Sequence, residues 1–84
     1  MPKERLSTFY KRVKILEGIA DYVRLHGYAP TWQELADAGG FSKYSVHDNI
    51  QVLAEQGYLT CKPRTARSLQ LTAKGVAGYV PEND

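Results

Sequence analysis

A group of polar side chains between residues 43 and 51 carries donors and acceptors of the kind that recognise nucleic acid. Apolar residues recur through this segment at three- and four-residue steps (Val46, Ile50 and Leu53), which predicts a helix with one face turned to a core. The opposite face then carries Lys43, Tyr44, Ser45, His47, Asp48 and Gln51. Gln, Ser and His can bond base edges in the major groove, while Lys and Tyr can reach phosphates.

The polar face leaves two questions open. Asp48 would repel phosphate, so it either accepts from a cytosine amine or holds a neighbouring side chain. The same composition also fits an ordinary solvated surface, although such a surface more often carries long Glu and Lys pairs.

The segment that contains the polar face predicts a helix-turn-helix unit. Thr31 and Glu34 stand three residues apart, as in a capping box that begins a helix. The glycine pair at 39–40 favours a left-handed turn that ends it. Ser42 can cap the next helix, which Gly57 ends. A short helix, a glycine turn and a longer helix form the helix-turn-helix arrangement.

A longer helix is predicted ahead of this unit, from Ser7 or Thr8 to about Leu25. Its apolar residues follow helical spacing and define the expected buried stripe: Ile15, Leu16, Ile19, Ala20 and Val23, with Phe9 and Val13 as extensions. Gly18 lies inside the helix, where close packing of another helix would explain its presence.

After Gly57 the pattern changes to that of a β-hairpin. Residues 58–62 have β-branched and aromatic character, and residues 68–72 alternate polar and apolar, so both are predicted strands. The connection between them contains Arg64 and Arg67, and a hairpin after a helix-turn-helix is typical of a wing. These arginines would lie along phosphates or enter the minor groove. The alternative is that a charged hairpin tip serves solubility.

These elements predict an α+β, mostly α fold: a three-helix winged helix-turn-helix with a C-terminal two-stranded β-hairpin wing. Residues 1–7 are expected to form a flexible lead-in, residues 8–72 the winged-helix domain and residues 73–84 a tail. Residues 71–75 could open a final helical turn or leave the domain.

Composition narrows the possible functions. The chain has 84 residues and a net charge of +2, with no acidic residue between Glu55 and Glu82. Basic residues in that stretch and near the amino end suit one cationic face for a polyanion. The single Cys61 excludes an internal disulfide, and the two histidines provide no zinc ligand set, so neither a metal nor a cofactor is expected. No catalytic grouping, membrane-length apolar run or signal peptide occurs, which favours a non-enzymatic, soluble and cytoplasmic protein.

Several motifs in sequence order resemble those of one family. They are the run from Tyr22 to Thr31 with its Gly-Tyr-Ala-Pro-Thr ending, Glu34-Leu35-Ala36, Ser45-Val46-His47, Gly57-Tyr58-Leu59, and Pro63-Arg64 through Leu69-Gln70-Leu71. Together they resemble the amino-terminal DNA-binding domain of the LexA repressors over roughly Thr8 to Leu71. The segment from Gly40 to Gly57 is about a residue shorter than in that family, and the family's self-cleaving domain has no counterpart here. An excised domain and a stand-alone relative are both consistent with this.

The resemblance implies a winged helix that binds palindromic operators and represses transcription. Carried over to this sequence, it places Lys43, Tyr44, Ser45 and His47 in the major groove, and Arg64 and Arg67 in the wing. The expected partner is double-stranded DNA bound by two copies of the chain, and the expected location is the nucleoid.

A winged helix can also serve as a protein-interaction module. That alternative requires an apolar outer face on the helix at 42–56, where Tyr44 and Val52 are the candidates.

Overall fold

The computed structural model describes residues 6–62 and 64–80. Its elements are, in chain order, α1 (Leu6–His26), α2 (Trp32–Gly39), α3 (Lys43–Glu55), β1 (Leu59–Thr60), β2 (Gln70–Leu71) and α4 (Ala73–Ala77). The strands pair antiparallel, so the predicted mostly helical winged helix-turn-helix is confirmed. Over these two ranges, no helix is long and apolar enough to cross a membrane.

Helix α1 begins earlier than predicted and buries a narrower stripe. Leu6 and Ser7, assigned to the lead-in, are its first residues, while residues 1–5 lie outside the described ranges. Ile15, Leu16 and Ile19 are buried as predicted. Ala20 and Val23 are exposed, contrary to expectation, because they line an open groove between α1, the hairpin and α4.

The helix-turn-helix unit is built by the predicted caps. The Thr31 hydroxyl accepts from the Glu34 amide at 3.1 Å, and the Glu34 carboxylate accepts from the Thr31 amide at 2.8 Å, which completes the capping box. Gly40 has a φ of 70°, the left-handed conformation that ends α2. Ser42 then caps α3 by accepting from the Ser45 amide. The short connection fixes α3 relative to α2.

The hairpin strands are shorter than the predicted strands at 58–62 and 68–72. Leu59 pairs with Leu71 and Thr60 with Gln70, and the ladder ends there. The Ser68 hydroxyl accepts from the Lys62 amide at 2.9 Å and donates to the Lys62 carbonyl at 3.2 Å. A side chain thus satisfies the backbone groups that a longer ladder would have paired.

The chain predicted as a tail from residue 73 packs on the domain instead. Thr72 caps α4, and the backbone of Gly75 lies against the carbonyl of Tyr58. Tyr79 is buried, with its ring centroid 5.1 Å from that of Tyr58. The Tyr58 hydroxyl also bonds both backbone polar groups of Val80. Residues 73–80 therefore pack against the winged helix; residues 81–84 lie outside the described ranges.

Candidate nucleic-acid interface

The outer face of α3 presents the side chains that its sequence pattern predicted. Val46, Ile50 and Leu53 are fully buried, which fixes the rotation of the helix. Tyr44 is 85% exposed, and the remaining polar residues share its side of the helix: Lys43, His47, Asp48 and Gln51 are exposed, and Ser45 is half-buried. The structure therefore brings all six α3 candidates together on one accessible face.

A buried polar network holds α3 from behind. Asn49 donates from Nδ2 to the Ser45 carbonyl at 2.8 Å and accepts at Oδ1 from Arg12 Nε at 3.0 Å. Arg12 also donates from Nη1 to the Tyr79 hydroxyl at 2.7 Å. Sequence reasoning missed this network, although a polar residue at the core-facing position 49 is a signal that a buried partner exists.

A second feature that sequence reasoning missed is the neighbour of His47. The His47 imidazole packs against the Trp32 indole with ring centroids 4.9 Å apart and planes inclined by 66°. Its Nδ1 lies 3.8 Å from Asp48 Oδ1, which is too long for a hydrogen bond. Position 32 offers no such signal in one sequence, because only the crossing of α2 over α3 brings the rings together.

The two wing arginines have different environments. Both have positive φ, 59° for Arg64 and 56° for Arg67. Arg64 is exposed, and its guanidinium forms no hydrogen bond or ion pair with any residue that the structure describes. It is therefore free to meet a phosphate at the edge of the hairpin.

The Arg67 guanidinium instead turns inward and ties the hairpin to the first two helices. It donates to both carboxylate oxygens of Glu34 at 2.9 and 3.2 Å, and to the Ala29 carbonyl at 3.0 Å. It also lies over the Tyr28 ring, 4.8 Å from the centroid. This geometry differs from the expected phosphate contact, because a bidentate partner on α2 already occupies the fork of the guanidinium.

The shared carboxylate is also stabilised in its ionised form. The amide of Thr31 and then the guanidinium of Arg67 lower the pKa of Glu34 to about 2. The same bond raises the pKa of Arg67 above its ordinary value. Glu34 thus stays ionised at neutral pH and serves two purposes, as a helix cap and as an anchor for the hairpin.

A cleft of about 690 Å³ separates α3 from the hairpin. Lys43 lines it from α3, and Lys62 and Arg64 line it from the hairpin; Glu55 is the acidic residue among its lining side chains. Lys62 was not among the predicted site residues, yet its position faces the same space as Lys43. Cations on both walls suit a phosphate backbone lying in the cleft.

Comparison with known proteins identifies the family of this chain. The model of the LexA DNA binding domain family matches residues 7–68. The LexA repressor of Limosilactobacillus reuteri (strain DSM 20016) is 42% identical over 67 residues, which cover 79% of this chain and 32% of that protein. The LexA repressor of Oleidesulfovibrio alaskensis is 42% identical over 57 residues, covering 68% of this chain and 28% of that protein.

The chain spans about a third of the length of the first of these curated relatives. A more distant match, the LexA repressor of Thermosipho melanesiensis, is 27% identical over 71 residues, or 84% of this chain and 36% of that protein. The family model covers most of the residues that the structure describes, and α2, α3 and the hairpin have the arrangement of a winged helix-turn-helix. The chain therefore belongs to the LexA DNA binding domain family.

Proposed function

We propose that this chain binds duplex DNA at a specific sequence and represses transcription, as a nucleoid-bound regulator rather than a catalyst. The observation that carries the proposal is the exposed polar face of α3 beside a cleft with cations on both walls. A helix of this diameter fits the major groove, and the adjacent hairpin then follows the phosphate backbone. The similar proteins are repressors by name, which supports the direction of regulation.

The proposed contacts divide into two groups. Lys43, Lys62 and Arg64 meet phosphates and supply the affinity that is common to all sequences. A second group supplies discrimination between bases: Tyr44, Ser45, His47, Asp48 and Gln51. Arg67 contributes to DNA binding indirectly, by anchoring the hairpin.

Two copies of the chain are proposed to bind one palindromic operator. A single small module buries limited surface on DNA, so tight and selective binding requires a second copy on a matching half-site. Sedimentation of the protein with and without a selected operator should show a complex of two chains per duplex. A tight complex with one chain per duplex would exclude this arrangement.

The decisive experiment is fluorescence anisotropy of labelled duplexes at increasing salt. A random-sequence duplex should bind weakly, with an affinity that falls steeply as salt rises. Selection from a random pool should then yield a preferred site, which is bound more tightly at the same salt. Absence of binding at low salt would refute the proposal and favour the protein-interaction alternative.

The α3 face itself gives that alternative little support. Tyr44 is the large hydrophobic residue exposed on this face, whereas Val52 is half-buried. Burial of one aromatic ring is a small apolar contribution compared with the core of a stable protein–protein interface.

A further inference from the structure

We propose that Trp32 determines base discrimination by positioning His47, so that a residue of α2 sets the recognition surface of α3. This inference rests on the proposed function, because it requires that His47 contacts a base edge. It assigns to Trp32 a positioning role. The indole is the firmly held partner, and the imidazole is the group that meets DNA.

The indole is held firmly because of where Trp32 lies. It is the first residue of α2, directly after the Thr31 cap. The carboxylate that completes this cap, that of Glu34, is itself bonded by the hydroxyl of Tyr22 and the guanidinium of Arg67. The Trp32 side chain is half-buried and packs against the hydrophobic core. Backbone and side chain are thus both fixed from the protein side.

The imidazole of His47, by contrast, depends on the indole. Its side chain is 47% exposed. On α3, the Asp48 carboxylate lies near it, with Oδ1 3.8 Å from His47 Nδ1, but the Asp48 side chain is itself 82% exposed. The edge-to-face contact with Trp32 is the ring contact that His47 makes, and it restricts the rotation of the imidazole. A side chain already held in one orientation loses less conformational freedom when it bonds a base.

Removal of the indole should lower discrimination without weakening general DNA binding. In Trp32→Leu, His47 must be ordered on binding, and affinity for the preferred site should fall about two- to tenfold. Trp32 also lines the cleft but carries no charge, so affinity for a random duplex should be unchanged while Lys43, Lys62 and Arg64 are intact. Trp32→Phe retains an aromatic ring at this position and should remain close to the wild type.

The binding test uses anisotropy with a preferred duplex and a random duplex for wild type, Trp32→Phe, Trp32→Leu, His47→Ala and the double variant Trp32→Leu/His47→Ala. The double variant should lose no more discrimination than His47→Ala alone, since the indole acts only through the imidazole. Additive losses would overturn the proposal by showing that Trp32 acts on DNA independently. Full discrimination in Trp32→Leu, with loss in His47→Ala, would also overturn it and leave the proposed function intact.

The binding data would differ if the proposed function itself were wrong. If His47→Ala weakens binding to both duplexes equally, His47 does not read bases, and the inference is overturned together with that part of the proposed function. Absence of DNA binding by the wild type would overturn the proposed function as a whole.

A spectroscopic readout tests the contact without DNA. The chain has two histidines and one tryptophan, so the imidazole C–H resonances can be assigned with His47→Ala. The aromatic field of the indole should shift those of His47 in the wild type, and Trp32→Leu should remove the shift. His26 is the matched control, since its ring neighbours are Tyr22 at 4.2 Å and Tyr28 at 5.7 Å. Unchanged His47 resonances in a folded Trp32→Leu would overturn the proposal.

Discussion

The hairpin contains two arginines whose contributions to DNA binding should differ in kind. Arg64→Ala and Arg67→Ala each remove one positive charge from a chain of net charge +2, so any long-range effect of charge is the same. Both arginines line the cleft, but Arg64 is unpaired among the described residues, whereas Arg67 forms a bidentate pair with Glu34. Only Arg64→Ala should therefore remove a phosphate contact.

The expected difference follows from counterion release. Each lost phosphate contact flattens the slope of log affinity against log salt by about 0.9. Between about 50 and 200 mM salt, the ratio of wild-type to Arg64→Ala affinity should therefore shrink about 3.5-fold. Arg67→Ala releases the hairpin from Ala29 and Glu34, which weakens binding by a factor that stays constant over the same range.

Anisotropy titrations of a random duplex at four or more salt concentrations measure both slopes. Thermal unfolding of each variant establishes that the domain is folded under the binding conditions. Equal flattening in the two variants would refute the reasoning, because it would show that Arg67 leaves Glu34 to meet a phosphate. An unchanged slope in Arg64→Ala would instead remove the hairpin from the phosphate contacts.

Three further predictions concern the framework that holds the interface. Gly75→Ala should lower the free energy of unfolding by about 1–3 kcal/mol in urea titrations, because its Cβ would overlap the Tyr58 carbonyl oxygen and push α4 off the hairpin; a neutral effect would contradict this packing. Asn49→Leu should cost about 1–3 kcal/mol, because it takes partners from Arg12 and the Ser45 carbonyl; a stability equal to the wild type would show that the network contributes nothing net. Glu34 has a folded pKa of about 2, below its usual 4.5, so its contribution to stability is complete above pH 4.5 and is lost as the pH falls towards 2. Glu34→Gln should remove that part of the dependence of stability on pH, which urea midpoints at pH 3 and 6 would measure. The same loss of stability at pH 3 in the variant and the wild type would contradict this prediction.

The sequence was sufficient for those parts of the fold that local chemistry determines. The Thr31 and Ser42 caps and the left-handed turn at Gly40 lie where predicted, since each depends on residues within one helical turn. The packing of the C-terminal segment was not predictable in this way. Tyr79 is buried where its ring meets those of Phe9 and Tyr58, and neither residue lies near it in the chain.

The candidate site was likewise predictable from the sequence only in part. The outer face of α3 follows from helical period alone, so its six candidates were found together. The environment of those candidates depends on other elements: Trp32 reaches His47 across the turn, and Lys62 faces Lys43 across the cleft. A single sequence does not reveal how such elements pack against one another. Neighbours that are distant in the chain can therefore be identified only from the folded structure.

The two wing arginines illustrate why residue type does not decide function. Arg64 and Arg67 are three residues apart, share a left-handed backbone conformation and carry the same charge. Arg67 differs from Arg64 because it pairs with the Glu34 carboxylate, 33 residues before it in the chain. The capping box holds that carboxylate on α2. The Thr31 amide holds the Glu34 carboxylate in place, and in the folded domain Arg67 is the wing arginine that pairs with it. The cap of one helix thus selects which wing cation remains available to DNA.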